Sequence, residues 1–411
     1  MAAEMVDRFW RRAVERRLGV LESDELRIVE AGETRSFGRA EDDDALRATL
    51  YVHDARLWSE VALRGTLGAA EAYLEGHWTA DDVVAVVRIF ARNLDMLATV
   101  DSGLGRIGAA GARILHRLRR NTRPNARRNI AAHYDLGNDF FELMLDESWT
   151  YSAGVFETAE STLHEAQIAK YERACRKLDL RPGDRVLEIG TGWGGFALHA
   201  AERHGCRVTT TTVSREQYDF ARERVARAGL ENRIDVRFDD YRDLRGRYDK
   251  LVSIEMIEAV GHAYLNDFFR VCSDRLEPDG LALLQAITLA DRDYEASVRT
   301  TDFIKRYIFP GGQLPSFSAI HAALGRVTDF RLLHVEELSS HYARTLAAWR
   351  ERLGKNLAGV RALGLPDRFL RMWEFYLCYC EGGFSERAIG VAQILLEKPR
   401  GRREPVLGTI S

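Results

Sequence analysis

Residues 186–195 read Val-Leu-Glu-Ile-Gly-Thr-Gly-Trp-Gly-Gly, an apolar run that ends in an acid and passes into closely spaced glycines. Such a stretch can only be a strand, a tight turn and the start of a helix. Glycines let the backbone turn where other residues clash, and they let a ligand approach the main chain. Strand-like and helix-like segments alternate around it. Thr162-Leu-His-Glu165 is a capping box that opens a helix to about residue 178. Strand 185–189, helix 196–204, strand 207–213, helix 215–228, strands 234–238 and 248–254, helix 264–276 and strand 281–287 follow. This alternation predicts an α/β fold, with a mostly parallel sheet covered on both faces.

The chain has 411 residues, enough for two or three domains at roughly 150 residues each. Residues 1–125 are expected to form a smaller α+β accessory domain, and 126–411 the catalytic domain. In the first part, Leu-Arg-Ile-Val-Glu and Ala-Thr-Leu-Tyr-Val-His-Asp have strand character, and 63–80 and 81–97 look helical. No catalytic signature falls there. Between Asp101 and Asp135 there is no acid, while Arg106, Arg113, Arg117, Arg119, Arg120, Arg123, Arg127 and Arg128 accumulate. Leu104, Ile107, Ile114, Leu115 and Leu118 recur among them at near-helical spacing, so the stretch reads as a basic amphipathic helix ending before Pro124. One reading is attraction to an anionic surface; the other is an inter-domain helix with solvated arginines. Aromatics do not interleave the arginines, which argues against nucleic acid.

No window approaches 18 apolar residues, and the charged N-terminus lacks the apolar core of a signal peptide. A cytoplasmic protein, peripheral at the inner face of the membrane, is expected. The five cysteines are odd in number and lack paired CxxC spacing, so neither a disulfide framework nor a metal site is expected.

Gly190, Gly192 and Gly195 also satisfy GxGxxG, which makes a dinucleotide such as NAD the rival ligand. Two features favour S-adenosylmethionine. Glu188, two residues before the first glycine, can face the ammonium of a methionine moiety. The second strand ends Thr-Thr-Val-Ser, without the acid that a NAD ribose site places there. Asp239-Asp240-Tyr241-Arg242 follows the third strand. Its carboxylate can accept from an adenine amino group under cover of Tyr241, or it is a solvated turn. In 253–262, Glu255 and Glu258 follow an apolar strand. They can hold a polar group or act as a base in a dry site, or Glu258 caps the next helix. The aromatic stretch 131–156 is either a lid over an apolar substrate or a core segment.

The stretches HYDLGNDFF, TYSAGVF, VLEIGTGWGG, DYRDL, EMIEAVGH, KRYIFPGGQLPS, HYARTLAAWRERL and YLCYCEGGF stand in order between residues 126 and 396. Together they resemble the cyclopropane-fatty-acyl-phospholipid synthases, with the related mycolic-acid cyclopropane synthases and fatty-acid C-methyltransferases. The resemblance implies a class I methyltransferase fold that uses S-adenosylmethionine on the double bond of an unsaturated phospholipid acyl chain. It implies cofactor contacts from Tyr151 and Ser152, from Glu188 and the Gly190, Gly192 and Gly194 loop, from Thr212 and Gln217 at the ribose, and from Asp240 and Tyr241 at the adenine. A homodimer is also expected.

In the family a bicarbonate ion serves as base, held by a Cys, a Glu, a His, a Tyr and an Ile backbone. The matching positions here are Ala153, Glu258, Gln285, Tyr342 and Ile287, and Cys380 matches a Cys near the substrate pocket. Ala153 and Gln285 depart from the pattern, as does Glu255, where a small residue is usual. The set resembles the tuberculostearic-acid type of methyltransferase, which places a methylene branch in place of a ring. A cyclopropane product stands first and a methylene-branched one second. The rivals of other classes are a nucleotide-dependent oxidoreductase and a lipid-binding protein with a dead site. Two adjacent carboxylates repel a bound anion. The expectation is therefore that Glu255 or Glu258 takes the proton and bicarbonate is weakly held, against the alternative that the Gln285 amide still holds the ion.

The arginine segment 106–128 should draw the protein onto anionic vesicles, each Arg contributing up to about 1 kcal/mol under salt screening. Sedimentation with vesicles should fall with added salt and with charge reversal of Arg117, Arg119 and Arg120. Salt-independent binding, or none, would assign the segment to domain packing.

Overall fold

The computed structural model describes residues 2–93 and 137–403. The basic segment and the start of the 131–156 stretch lie outside the described residues. The chain divides into two compact units. The first gathers the described N-terminal residues with 299–308 and 357–388. The second gathers 137–298, 309–356 and 389–403.

In the first unit a sheet runs in the order β2-β1-β3-β4, from β1 (Glu25–Glu30), β2 (Glu33–Phe37), β3 (Arg47–Val52) and β4 (Trp78–Ala80). β1 and β2 form a hairpin across Ala31-Gly32, both with positive φ, as a twist-matched two-residue turn requires. β1 pairs parallel to β3, and β3 antiparallel to β4. Leu26, Ile28, Ala48 and Leu50 are buried, as are Val83, Val84, Val86 and Ile89 of helix Val83–Arg92. Asp82 caps that helix by accepting from the Ala85 N–H at 2.9 Å.

The expectation of helix over 63–80 needs correction. The helix is Arg56–Leu74, kinked at Gly65, and Trp78–Ala80 is a strand. Gly76 takes a left-handed turn (φ 76°), and the Val52, Tyr51 and Leu50 backbone offers a strand partner. A boundary at residue 125 also does not anticipate the two later segments of this unit. Helix Asp367–Ser385 buries Trp373, Phe375, Tyr376 and Leu377. Its Gly382 lies so close to Val87 that a Cβ would sit 2.7 Å from Val87 Cγ1. Glu386 beyond it pairs with Arg88 at 2.6 Å and Arg92 at 2.9 Å.

The second unit holds a seven-stranded sheet in the order β10-β11-β9-β8-β5-β6-β7. Its strands are β5 (Arg185–Ile189), β6 (Arg207–Thr211), β7 (Ile234–Arg237), β8 (Tyr248–Ile254), β9 (Leu276–Leu289), β10 (Arg331–Glu337) and β11 (Ile389–Glu397). From β7 to β9 all pairs are parallel; β11 and β10 are antiparallel. Val186, Leu187, Glu188 and Ile189 are all buried, the continuous pattern of a strand covered on both faces. One layer of core packs Phe268, Phe269, Ile320 and Leu324 on the sheet; the other packs Tyr171, Ala174, Phe196 and Ala200. The capping box opens helix Leu163–Leu178: Thr162 accepts from the Glu165 N–H, and Glu165 accepts from the Thr162 N–H at 2.8 Å.

The chain moves outward from β5 through β6 to β7, then returns to the other side of β5 as β8. The sheet therefore reverses its order between β5 and β8. Loops leaving their carboxyl ends part there and open a crevice, the ligand position of open α/β sheets.

Gly68→Ala tests the packing of the first unit. A Cβ there would lie 2.0 Å from the Glu60 carbonyl oxygen, backbone that cannot rotate away. The substitution should cost about 2 kcal/mol or more in urea denaturation. An unchanged midpoint would contradict the packing described.

Candidate functional site

Three loops converge on the crevice. The first leaves β5. Gly190, Gly192 and Gly194 have φ of 106°, 52° and 88°, conformations that favour glycine at every one of these positions. Glu188 is buried, and its Oε2 has no hydrogen-bond partner among the described residues. Burial pushes its pKa up to about 8. An orphaned buried carboxylate oxygen beside a glycine turn is what the ammonium of a methionine moiety would complete. S-adenosylmethionine thus fits the residues present.

The second loop leaves β6. Thr212 Oγ1 donates to Gln217 Oε1 at 2.9 Å, and both residues are buried. Ser214 caps helix Arg215–Arg227 through the Gln217 N–H, which sets Gln217 beside Thr212. Asp240, after β7, is buried. Its Oδ1 accepts from Arg242 Nε at 2.8 Å and its Oδ2 from Arg242 at 2.6 Å. The reading of Asp239–Arg242 as a solvated turn is therefore overturned at Asp240. Tyr241 packs edge-on to Phe268 at 5.6 Å.

The third loop leaves β8 and carries the acids. Glu255 has φ 49°, the left-handed region that a residue with a Cβ rarely adopts. Its Oε1 accepts from the Ala153 N–H at 2.8 Å and from Gln285 Nε2 at 2.8 Å. Its Oε2 accepts from the Tyr342 hydroxyl at 2.7 Å. Burial raises its pKa, opposed by these three donors and by Lys170. Glu258 lies in a short turn, and its Oε1 accepts from the Ile287 N–H of β9 at 2.5 Å. It does not cap the following helix. Its Oε2 is buried with no partner among the described residues. Burial, then repulsion from Glu255, pushes its pKa up to about 8. Two carboxyl groups this close disfavour ionising together.

The donors that would hold a bicarbonate ion are thus already occupied. The Ala153 N–H, Gln285 and Tyr342 all point at the Glu255 carboxylate. A second anion there would meet two acids and find those donors engaged. The residues present do not fit that ion.

Tyr151 and Ser152 lie on the segment before Ala153. Tyr151 packs against Trp349 with ring centroids 5.0 Å apart. Ser152 Oγ accepts from Lys170 Nζ at 2.7 Å, and its carbonyl accepts from Gln167 Nε2 at 2.9 Å. Cys380 lies on helix Asp367–Ser385 of the first unit, and burial raises its thiol pKa.

Lys170 escaped the reading of the sequence. It is completely buried, with its pKa pulled down to about 7 by burial. A signal was present. In helix Leu163–Leu178 the buried positions 163, 166, 167, 170, 171, 174, 175, 177 and 178 follow helical periodicity, and 170 and 177 are lysines.

Comparison with known proteins bears on this arrangement. Residues 121–394 match the family described as mycolic acid cyclopropane synthetase. A tuberculostearic acid methyltransferase of Mycobacterium tuberculosis is 38% identical over 85% of this chain and 83% of its own. A cyclopropane-fatty-acyl-phospholipid synthase of Escherichia coli is 34% identical over 85% of this chain and 88% of its own. The crystal structure of a mycolic acid cyclopropane synthase complexed with SAH and CTAB is 33% identical. It superposes with a TM-score of 0.62 over 66% of this chain and 98% of its own.

The free oxygen of Glu188 generates a prediction. S-adenosylmethionine should bind more tightly as pH rises from 6 to about 8.5, because Glu188 must lose its proton to meet a cation. Glu188→Gln should weaken binding about tenfold, the scale of one charge-assisted hydrogen bond, and flatten the pH dependence. Calorimetric titration at several pH values checks this; a wild-type pH dependence in the variant would contradict it.

Proposed function

The chain belongs to the mycolic acid cyclopropane synthetase family, and from that premise we propose that it transfers a methyl group to the double bond of an unsaturated acyl chain in a membrane phospholipid. It is an S-adenosylmethionine-dependent methyltransferase of the class I fold, with a small mixed-sheet N-terminal unit. Its chemistry is the modification of fatty acyl chains, by cyclopropanation or by methylation.

The carboxylate of Glu255, fixed by three donors at the C-terminal edge of β8, carries the finer reading. When bound, S-adenosylmethionine supplies an electrophilic methyl on a cationic sulfur. Glu188 and the Gly190–Gly194 turn would hold its methionine end, Thr212 and Gln217 its ribose, Asp240 and Tyr241 its adenine, with Tyr151 and Ser152 alongside. Methyl addition to an alkene leaves a positive charge on a chain carbon. The face of Tyr342 stabilises such a cation by about 2 kcal/mol in a dry site. A proton must then leave to a base. Three of roughly four acceptor positions of Glu255 are engaged, which leaves one for that proton. Glu258, with one free oxygen, is the neighbouring acceptor.

Where the charge sits when the new methyl loses its proton decides the product. Loss while the cation is on the neighbouring carbon closes a cyclopropane; a 1,2-hydride shift that first moves the cation to the methyl-bearing carbon, followed by loss from the same methyl, leaves a methylene branch. A base tied to the protein takes the proton from one fixed direction, so its placement bears on whether the proton leaves before or after that shift. The Ala153, Glu255 and Gln285 set and the similarity to a tuberculostearic acid methyltransferase support the methylene branch. The similarity to the Escherichia coli synthase over an equal share of the chain favours the cyclopropane as the second reading. Phospholipid substrates imply work at a membrane surface. Among the described residues no helix is long and apolar enough to cross a membrane. The arginine segment supports attachment at an anionic face.

The products are isomers, each one CH2 heavier than the substrate chain. Lipids from a host expressing the protein should contain that mass, and the new group should be cleaved by ozone, as an alkene is. Ozone-resistant product with ring-proton resonances would establish the cyclopropane instead. Glu258→Gln should nearly abolish turnover with cofactor affinity within a few-fold. Turnover within tenfold of wild type would remove Glu258 from the site chemistry.

A further inference from the structure

Three hydrogen bonds run in series from a buried lysine to Glu255. Lys177, in the last turn of helix Leu163–Leu178, is completely buried. Its Nζ donates to Gln393 Oε1 on β11 at 2.7 Å and also to the Glu336 carboxylate on β10. Gln393 Nε2 donates to Gln285 Oε1 on β9 at 3.0 Å. Gln285 Nε2 donates to Glu255 Oε1 at 2.8 Å. Gln393 and Gln285 stand directly opposite each other in the β11–β9 register, and both are completely buried.

The two ends of this series dictate its direction. An ammonium has only donors, and an ionised carboxylate only acceptors. With these groups at the ends, each amide is satisfied in one orientation alone. Flipped amides would set an NH2 against the ammonium and an oxygen against the carboxylate. Each buried polar atom mismatched in this way is strongly disfavoured.

We propose that Lys177 is a positioning residue for the proton acceptor: through Gln393 and Gln285 it keeps an N–H aimed at Glu255 and favours the ionised carboxylate. The proposal rests on the reading of Glu255 as that acceptor.

The other groups around both ends are few. Glu255 also faces the Ala153 N–H, the Tyr342 hydroxyl, Lys170 and Glu258. Lys177 faces Glu336, with Arg173 and His334 close by. Arg173 also holds Glu336, so that acid keeps a cation when Lys177 is replaced. Burial pulls the Lys177 pKa down to about 8, and Glu336 opposes it. Above that pH the neutral amine can accept as well as donate, and the amides lose their enforced direction.

The test is the pH profile of kcat/KM in the full-length enzyme, with S-adenosylmethionine affinity measured beside it to report folding. Lys177→Met and Gln393→Leu each cut the series at a different link. Each should move the acid limb upward by about one pH unit, a tenfold change in proton affinity. The double variant should move it no further. Variants that bind cofactor normally with an unmoved acid limb overturn the proposal. Gln393→Leu decides alone if Lys177→Met fails to fold. Glu255→Gln separates the two ideas. A wild-type profile in that variant overturns the reading of Glu255 as acceptor. Lost turnover there, with an unmoved limb in Gln393→Leu, overturns the relay alone.

Discussion

A carboxylate held in a site with little water must be surrounded by donors or give up its charge, and Glu255 meets that constraint with three of them. The backbone of Glu255 is left-handed, a conformation that costs a residue with a side chain about 1–2 kcal/mol. The donors come from three separate parts of the second unit: the segment before Ala153, strand β9 and helix Ser339–Lys355. Each must be placed for the others to be useful. Burial, the nearby acid Glu258 and the donor set pull the proton affinity of Glu255 in opposite directions. The three donors favour the anion, and burial with the nearby acid makes it more basic than an exposed carboxylate.

The sheet order explains why cofactor and acid positions are neighbours. β5 and β8 are adjacent strands that the chain reaches by leaving in opposite directions. Gly190 follows one and Glu255 the other, and a Cβ on Gly190 would touch the Met256 side chain at 3.2 Å. A methyl donor on the glycine turn and an acceptor after β8, as proposed, would therefore share one crevice. The antiparallel strands β11 and β10 extend the same sheet and bring Gln393 and Glu336 within reach of the helix that carries Lys177.

What the sequence revealed was local. The capping box at Thr162, the glycine turn and the strands from β5 to β8 depend on neighbours within a few residues, and they lie where the pattern put them. The acids were visible as candidates, but their partners were not. Ala153 is 102 residues from Glu255, Tyr342 is 87 and Gln285 is 30. No spacing rule spans such distances; the departures at Ala153, Glu255 and Gln285 stood out only against the resembling family. The structure puts these three side by side, so that the acid fills the place an ion would need. Lys170 and Lys177 went unread because lysines are normally at the surface, although both sit on the apolar period of their helix. The helix-like pattern of 63–80 runs over Trp78–Ala80 because a three-residue strand carries too little pattern of its own and forms through its pairing with β3.

The central claim is that this site carries its own proton acceptor. Methyl transfer to an unsaturated phospholipid, measured in carbonate-free buffer and again after adding bicarbonate, tests it most directly. The account predicts the same rate within about twofold in both conditions, and loss of that rate in Glu255→Ala. Strong activation by bicarbonate, with Glu255→Ala still active, would contradict it.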